Sequence, residues 1–216
     1  MRVESIQVGK PKTLAPDWTS AIFKQTVTGP VFLDKNNLQG DKQADLSVHG
    51  GADKAVNVYP IEHYSYWRQR ARFPLRRRIN LPYPCNGAFG ENFTVSGLLE
   101  SEVCIGDTYE VGSVIVQVSQ PRQPCWKLAR KFNQAKLPSW IQNTSKTGWY
   151  FRVLQEGQVE SLNQFKLIER NNSTWSVQRA NQLMYAAQKN QHEITSILKC
   201  KELSDSWRKA LSALIT

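Results

Sequence analysis

The sequence predicts a mainly β fold with α additions: a closed or partly closed barrel over residues 1–169, then a compact three-helix unit over 170–216. Three observations predict it. Short β-rich runs, broken by Gly or Pro at irregular spacing, fill the first three quarters of the chain. They do not alternate regularly with helices, which speaks against a parallel sheet with crossover helices. From Asn171 to Thr216 there is neither proline nor glycine, and apolar residues recur at helical spacing.

The elements follow in order. Val3–Gly9 alternates and ends in Gly-Lys-Pro; Ala21–Val27 closes at Thr28-Gly29-Pro30. Ala55–Tyr59 follows a Gly-Gly turn and stops at Pro60, after which Ile61–Arg72 reads as a helix. Thr108–Val111, Val114–Ser119 and Trp149–Leu154 are β-rich, with a hairpin turn at Gly112-Ser113. In the tail, Trp175, Ala180, Leu183, Met184 and Ala187 mark a first helix. Ile194, Ile197 and Leu198 mark a second, and Trp207, Ala210, Leu211 and Leu214 a third. Asn172, Ser173 or Thr174 is expected to cap the first, and Ser204 the third.

Composition fits a globular chain of 216 residues, 40% hydrophobic and 21% charged, with seven tryptophans. Lys plus Arg outnumber Asp plus Glu, 28 to 18, for a formal charge of +10. That balance attracts anions without separating nucleic acid from a phosphorylated cofactor. The dense run Arg76-Arg77-Arg78, preceded by Arg68, Arg70 and Arg72, reads as a solvated helix end or as a phosphate-binding patch. Cys85, Cys104, Cys125 and Cys200 form no C-x-x-C pair, so neither a zinc ribbon nor a disulfide scaffold is expected. No apolar leader and no run of about 18 apolar residues is present, so a reducing cytoplasm, without a membrane span, is the expected setting.

Three segments could carry chemistry. In Ser119-Gln120-Pro121-Arg122-Gln123-Pro124-Cys125-Trp126-Lys127-Leu128, a strand ends in a loop stiffened by two prolines. It presents one thiol between Arg122 and Lys127, which favour a thiolate and so a nucleophile or a metal ligand. A packed core cysteine is the plain alternative. In His49-Gly50-Gly51-Ala52-Asp53-Lys54-Ala55-Val56, two glycines and Lys54 could cradle an anion, or simply make a tight turn. His49 could bind a ligand or serve as a hydrogen-bonded structural residue. In Gly87-Ala88-Phe89-Gly90-Glu91-Asn92-Phe93-Thr94-Val95, the Asn92 amide could meet a heterocycle edge or satisfy local backbone.

The order of these three segments, with the helical tail behind them, resembles the MOSC family, named for the molybdenum cofactor sulfurase C-terminal domain. The closer likeness is to its YiiM-like branch, whose members carry a three-helix extension. The resemblance implies a MOSC-type β-barrel that binds the molybdenum–pyranopterin cofactor, with Cys125 as the protein ligand to the metal. It implies that Lys54, Arg122 and Arg152 meet the cofactor's phosphate and that His49 and Asn92 meet the pterin. The loop before Asn92 reads Phe-Gly-Glu, not the Arg-Pro of the mitochondrial amidoxime-reducing relatives, so contacts made by that arginine must come from elsewhere. The implied reaction is reduction of N-hydroxylated base analogues, such as 6-hydroxylaminopurine, from N–OH to N–H with release of water.

The scattered remaining cysteines leave no thiolate cluster for iron–sulfur chemistry, so electrons are expected from a separate reductase. The helical tail is a candidate surface for it, serving a partner rather than the chemistry. Two other functions stay open. One is a carrier of the molybdenum cofactor or of sulfur, without turnover of its own. The other is nucleic-acid binding through the basic surface and tail, although the tail's cations are spread out and offset by acids rather than clustered as on a recognition helix. Specific nucleic-acid binding is therefore not expected, and a homodimer is left open.

Overall fold

The computed structural model describes residues 1–45, 50–70 and 86–215. Its centre is an eight-stranded curled sheet. Along the chain the strands are β1 (Arg2–Val8), β2 (Lys12–Ala15), β3 (Trp18–Ser20), β4 (Gln25–Val27), β5 (Val31–Leu33), β6 (Val56–Pro60) and β7 (Phe93–Ser96). Then come β8 (Thr108–Val111), β9 (Val114–Pro121), β10 (Trp149–Gln155), β11 (Gly157–Val159) and β12 (Lys166–Glu169). The sheet order is β12-β8-β9-β10-β6-β7-β1-β4, with β2–β3 and β5–β11 as small side pairs. Neighbours run antiparallel except β6 and β7.

The sheet curls back on itself. The segment leading into β12 bonds to the start of β1: Val3 N–H donates to Asn163 O (3.0 Å), Leu162 N–H to Val3 O (2.7 Å) and Phe165 N–H to Met1 O (3.2 Å). This satisfies backbone groups that an open edge would expose, which is the physical reason for a barrel. Val114, Val116 and Val118 alternate inward along β9, and Val56 and Val58 along β6. The predicted hairpin is present, with Val111 opposite Val114.

Among the described residues, six α-helices complete the fold. α1 (Glu62–Arg70) follows Pro60 as expected. α2 (Trp126–Lys131) and α3 (Leu137–Thr144) fill a stretch for which the sequence reading had no helix. They are short, and their apolar spacing is carried by few residues, notably buried Leu128, Leu137 and Ile141. The strand expected over Ala21–Val27 is confined to Gln25–Val27.

The tail forms α4 (Val177–Tyr185), α5 (Gln191–Ile197) and α6 (Asp205–Ser212). Ser204 caps α6 as expected, and Asn190 caps α5. The cap of α4 is Ser176, not one of Asn172–Thr174. The reason is tertiary. Ile105 N–H donates to Trp175 O (2.9 Å) and Val177 N–H to Val103 O (2.8 Å), so the chain stays extended against the barrel before it winds.

The three helices share the barrel's core. Val177, Ala180, Ile194, Ile197, Trp207 and Leu211 belong to the same buried cluster as Val103, Ile105 and Val118. A second cluster joins Tyr59, Tyr64, Trp67, Phe89, Leu128 and Ile141 beneath α1, α2 and α3. No helix among the described residues is long and apolar enough to cross a membrane.

Candidate functional site

β9 delivers the predicted thiol. Its last residues pair with β10, Gln120 opposite Tyr150 and Pro121 opposite Trp149. Arg122 N–H then donates to Gly148 O (3.1 Å), extending the ladder by one bond. Gly148 has φ +69, and a Cβ there would lie 2.1 Å from Val58 O, so only glycine lets the strands close at this point. The chain turns at Pro124, and Cys125 becomes the extended N-cap residue of α2. Its thiol makes no capping hydrogen bond and is half-buried.

That thiol lines a cleft together with Ile22, Lys24, Lys54, Asn57, Arg122 and Lys127, with Tyr150 also on its wall. These cations converge from three separate segments. Arg122 is buried, and its Nη2 donates to Phe89 O at 2.6 Å. Its Nη1 is buried without a hydrogen-bond partner among the described residues. Lys24 is buried in an ion pair with Asp41, and burial lowers its pKa despite that carboxylate. Lys54 sits half-buried in a 3-10 turn, Ala52–Lys54; burial lowers its pKa and Asp53 opposes the shift. Burial raises the Tyr150 pKa, with Arg122 opposing and Cys125 adding to the rise.

The glycine-rich loop is folded around Glu91, a fully buried carboxylate. It accepts from Gly87 N (2.7 Å), Phe89 N (3.0 Å) and Thr94 Oγ1 (3.1 Å), and from the Tyr64 hydroxyl. The loop thereby holds the Phe89 carbonyl over Arg122. Lys131, behind the cleft, is pushed down to about 8 by burial and by its cationic neighbours Arg122 and Lys24, with Glu91 opposing. Phe89 is locked by stacking on Tyr59 at 4.5 Å.

Cys125, Lys54, Arg122 and Asn92 all reach this cleft. Asn92, however, spends its amide on the protein. Nδ2 donates to Asp41 Oδ2 (2.9 Å) and Gln7 O (3.2 Å), and Oδ1 accepts from Asn57 N (3.1 Å). Asn92 therefore lines the cleft while its amide braces β6 and the loop against Gln7 and Asp41. Arg152 stands apart from the other named residues. It is not among the cleft-lining residues; it holds Asp53 at 2.7 Å and Gln117 at 3.2 Å. It thus anchors the turn that carries Lys54. His49 and the run Arg76-Arg77-Arg78 lie outside the described residues, as does Cys85.

The sequence reading missed Asn57, Lys24 and Tyr150. Asn57 Nδ2 donates to Gly90 O (3.2 Å), while its Oδ1 is buried without a partner among the described residues. A lone amide inside the apolar run Val56-Asn57-Val58 was the available signal. Two residues that line the cleft beside the thiol thus each hold a buried polar atom without a partner among the described residues: the donor Arg122 Nη1 and the acceptor Asn57 Oδ1. Each such buried group costs about 1–3 kcal/mol if nothing satisfies it. A phosphorylated, hydrogen-bonding, sulfur-ligated group is the kind of occupant that this donor set fits.

Comparison with known proteins identifies the family. The MOSC domain matches residues 45–163, and the YiiM-like 3-alpha helix domain matches residues 175–215. The uncharacterized protein YflK of Bacillus subtilis is 46% identical over 209 residues, covering 95% of this chain and 90% of YflK. A protein of Gibberella moniliformis named "Reductase" is 37% identical over 172 residues, covering 78% of this chain but 29% of that longer protein. The crystal structure of YiiM from Geobacillus stearothermophilus superposes with a TM-score of 0.81 at 39% identity, covering 100% of this chain and 99% of that one. With both domains matched in order and near full-length relatives on the same fold, the chain belongs to the MOSC-domain family, in its YiiM-like branch with a C-terminal three-helix domain.

Proposed function

We propose that this protein is a molybdenum-cofactor-dependent oxidoreductase that reduces N-hydroxylated bases to amines, with 6-hydroxylaminopurine as a representative substrate. One observation supports the reading: Cys125 lines the same cleft as Arg122 and Asn57, each of which holds a buried polar atom without a partner among the described residues. The thiol suits a soft metal centre. Arg122 and Lys54 suit a phosphate, and Asn57 Oδ1 suits an N–H on the pterin. When bound, the cofactor supplies the two-electron couple. The chain supplies Cys125 as ligand, a cationic wall that holds the anion, and the loop around Glu91 that keeps Arg122 aimed. The balance is N–OH plus two electrons and two protons giving N–H and water. The electrons come from a separate reductase; a relative named "Reductase" matches this chain over 29% of its own length.

The test is expression in cells that make the molybdenum cofactor, followed by metal and pterin analysis and turnover of 6-hydroxylaminopurine with excess reductant. Metal and pterin without turnover would favour a carrier, and their absence would overturn the reading.

The cation assignments give a further prediction. Arg122→Ala and Lys54→Ala should each lower cofactor retention about tenfold or more, since a charge-assisted hydrogen bond contributes roughly 1.5–3 kcal/mol. Arg122→Lys should fall between, keeping the charge but losing the planar fork. Molybdenum and pterin content after dialysis, read beside thermal melting, checks this. Full retention in both alanine variants would show the phosphate to lie elsewhere.

A further inference from the structure

We infer that Trp126, with Trp18 and Phe23, forms a stacking platform at the mouth of the cleft for a planar heteroaromatic base. The kind of base rests on the reductase reading; the place of the platform rests on the geometry. Trp126 stands between Cys125 and Lys127, and Phe23 between Ile22 and Lys24. All four of those neighbours line the cleft. The two aromatic side chains themselves are turned outward, 54% and 41% exposed. Trp18 links them, with its ring 6.1 Å from Phe23 and 6.4 Å from Trp126.

The angles show which ring is open. Trp18 meets Trp126 at 55°, so the pair is not stacked flat and Trp18 does not cover an indole face. Arg130 lies 4.8 Å over Trp18, and Lys131 lies 4.8 Å over Phe23. Both of those rings already carry a cation. Among the described residues no cation is placed over Trp126. A large apolar face is thus left in water one residue from the thiol.

The cleft is divided by chemistry. Its interior offers cations and unpaired polar atoms, which suit an anionic cofactor. The aromatic carbon beside it, on residues next in sequence to lining residues, suits a flat, neutral base. Aromatic stacking is tolerant of base identity and strong enough to fix the ring plane. A base on Trp126 would have its ring substituent within reach of the chemistry at Cys125.

The experiment is calorimetric titration of the full chain, at matched cofactor content, with 6-hydroxylaminopurine and with N-hydroxyurea as a non-aromatic control. Trp126→Ala should raise the Kd of the purine about tenfold, whereas Trp126→Phe should stay within about threefold of the parent. N-hydroxyurea affinity should be the same in all three proteins. Melting temperature and molybdenum content should not move, because the side chain is exposed. Unchanged purine affinity in Trp126→Ala, no purine binding by the parent, or equal loss for N-hydroxyurea would each overturn the platform. So would concentration-dependent self-association abolished by Trp126→Ala with purine binding unaffected, which would assign the rings to a second copy. The two readings fail separately. Stacking-dependent binding without turnover sinks the reductase and leaves the platform; turnover with unchanged purine affinity in Trp126→Ala does the reverse.

Discussion

Cys125→Ser is expected to leave a folded protein that no longer reduces 6-hydroxylaminopurine. Serine is close in size, and the half-buried thiol makes no capping hydrogen bond whose loss would unravel α2. The stability change should therefore be small, within about 1 kcal/mol. The chemical change is large: an alkoxide is harder and far more basic than a thiolate and is a poor match for a soft metal site. Turnover should fall by at least two orders of magnitude while the melting temperature holds. Cys104→Ser and Cys200→Ser should do the opposite. Both are buried, and burial raises both thiols, Cys200 to about 11, with Asp107 adding at Cys104 and Glu202 at Cys200. Cys104 Sγ donates to Ser173 O at the seam between barrel and tail. Those variants should lose stability and keep turnover. A folded, metal-loaded Cys125→Ser protein with near-normal turnover would remove the central assignment.

The site was legible where chemistry and local sequence coincide. Two prolines, a cysteine and flanking cations stand together in the chain, so Cys125 and Arg122 could be read without a fold. Lys54 was legible for the same reason, behind its Gly-Gly turn. Asn57 and Lys24 were not, because their roles are created by distant partners. Asn57 becomes a cleft residue through Gly90 and Asn92, and Lys24 through Asp41. The bracing role of Asn92 was hidden for the same reason. Its residue type suits a heterocycle, but its amide is claimed by Gln7, Asp41 and Asn57, and none of these claims is local. Arg152 was chosen for its charge alone; the register that places Arg152 opposite Gln117 turned it to Asp53 instead.

The fold shows the same division. Strands with inward valines, the hairpin at Gly112 and the three tail helices follow from periodicity and punctuation. α2 and α3 escaped because they are about two turns long or less and draw their stability from burying Leu128, Leu137 and Ile141 under α1. The start of α4 was displaced because the barrel's free backbone at Val103 and Ile105 holds residues 175–177 extended.

Deleting residues 171–216 is expected to leave a barrel that does not fold stably, rather than a competent enzyme that has lost a docking surface. Val177, Ile194, Ile197, Trp207 and Leu211 are buried in one cluster with the barrel's own Val103, Ile105 and Val118. Removing the helices would bare that side of the barrel, and each large side chain so exposed forfeits roughly 1.5–3 kcal/mol. A few such losses match the whole stability of a typical domain, about 5–15 kcal/mol. The tail also braces the site. Ser204 N–H donates to Ser119 O (3.0 Å), and its hydroxyl to Gln120 Oε1 (2.7 Å), on the strand that leads to Arg122 and Cys125. Asp205 N–H reaches Asp53 Oδ2 (3.3 Å), on the turn that carries Lys54. The start of α6 therefore grips both the thiol strand and the lysine turn. Trp207→Ala is the graded version. Truncating this buried ring should cost roughly 3–5 kcal/mol, which at this chain length lowers the melting temperature by roughly 6–20 °C. Ser204→Ala should cost less, about 1 kcal/mol from the lost cap, yet it should loosen cofactor retention because Gln120 loses a donor. A truncated chain that is monodisperse, melts cooperatively near the parent temperature and retains cofactor would show that the barrel stands alone and that the tail serves only a partner.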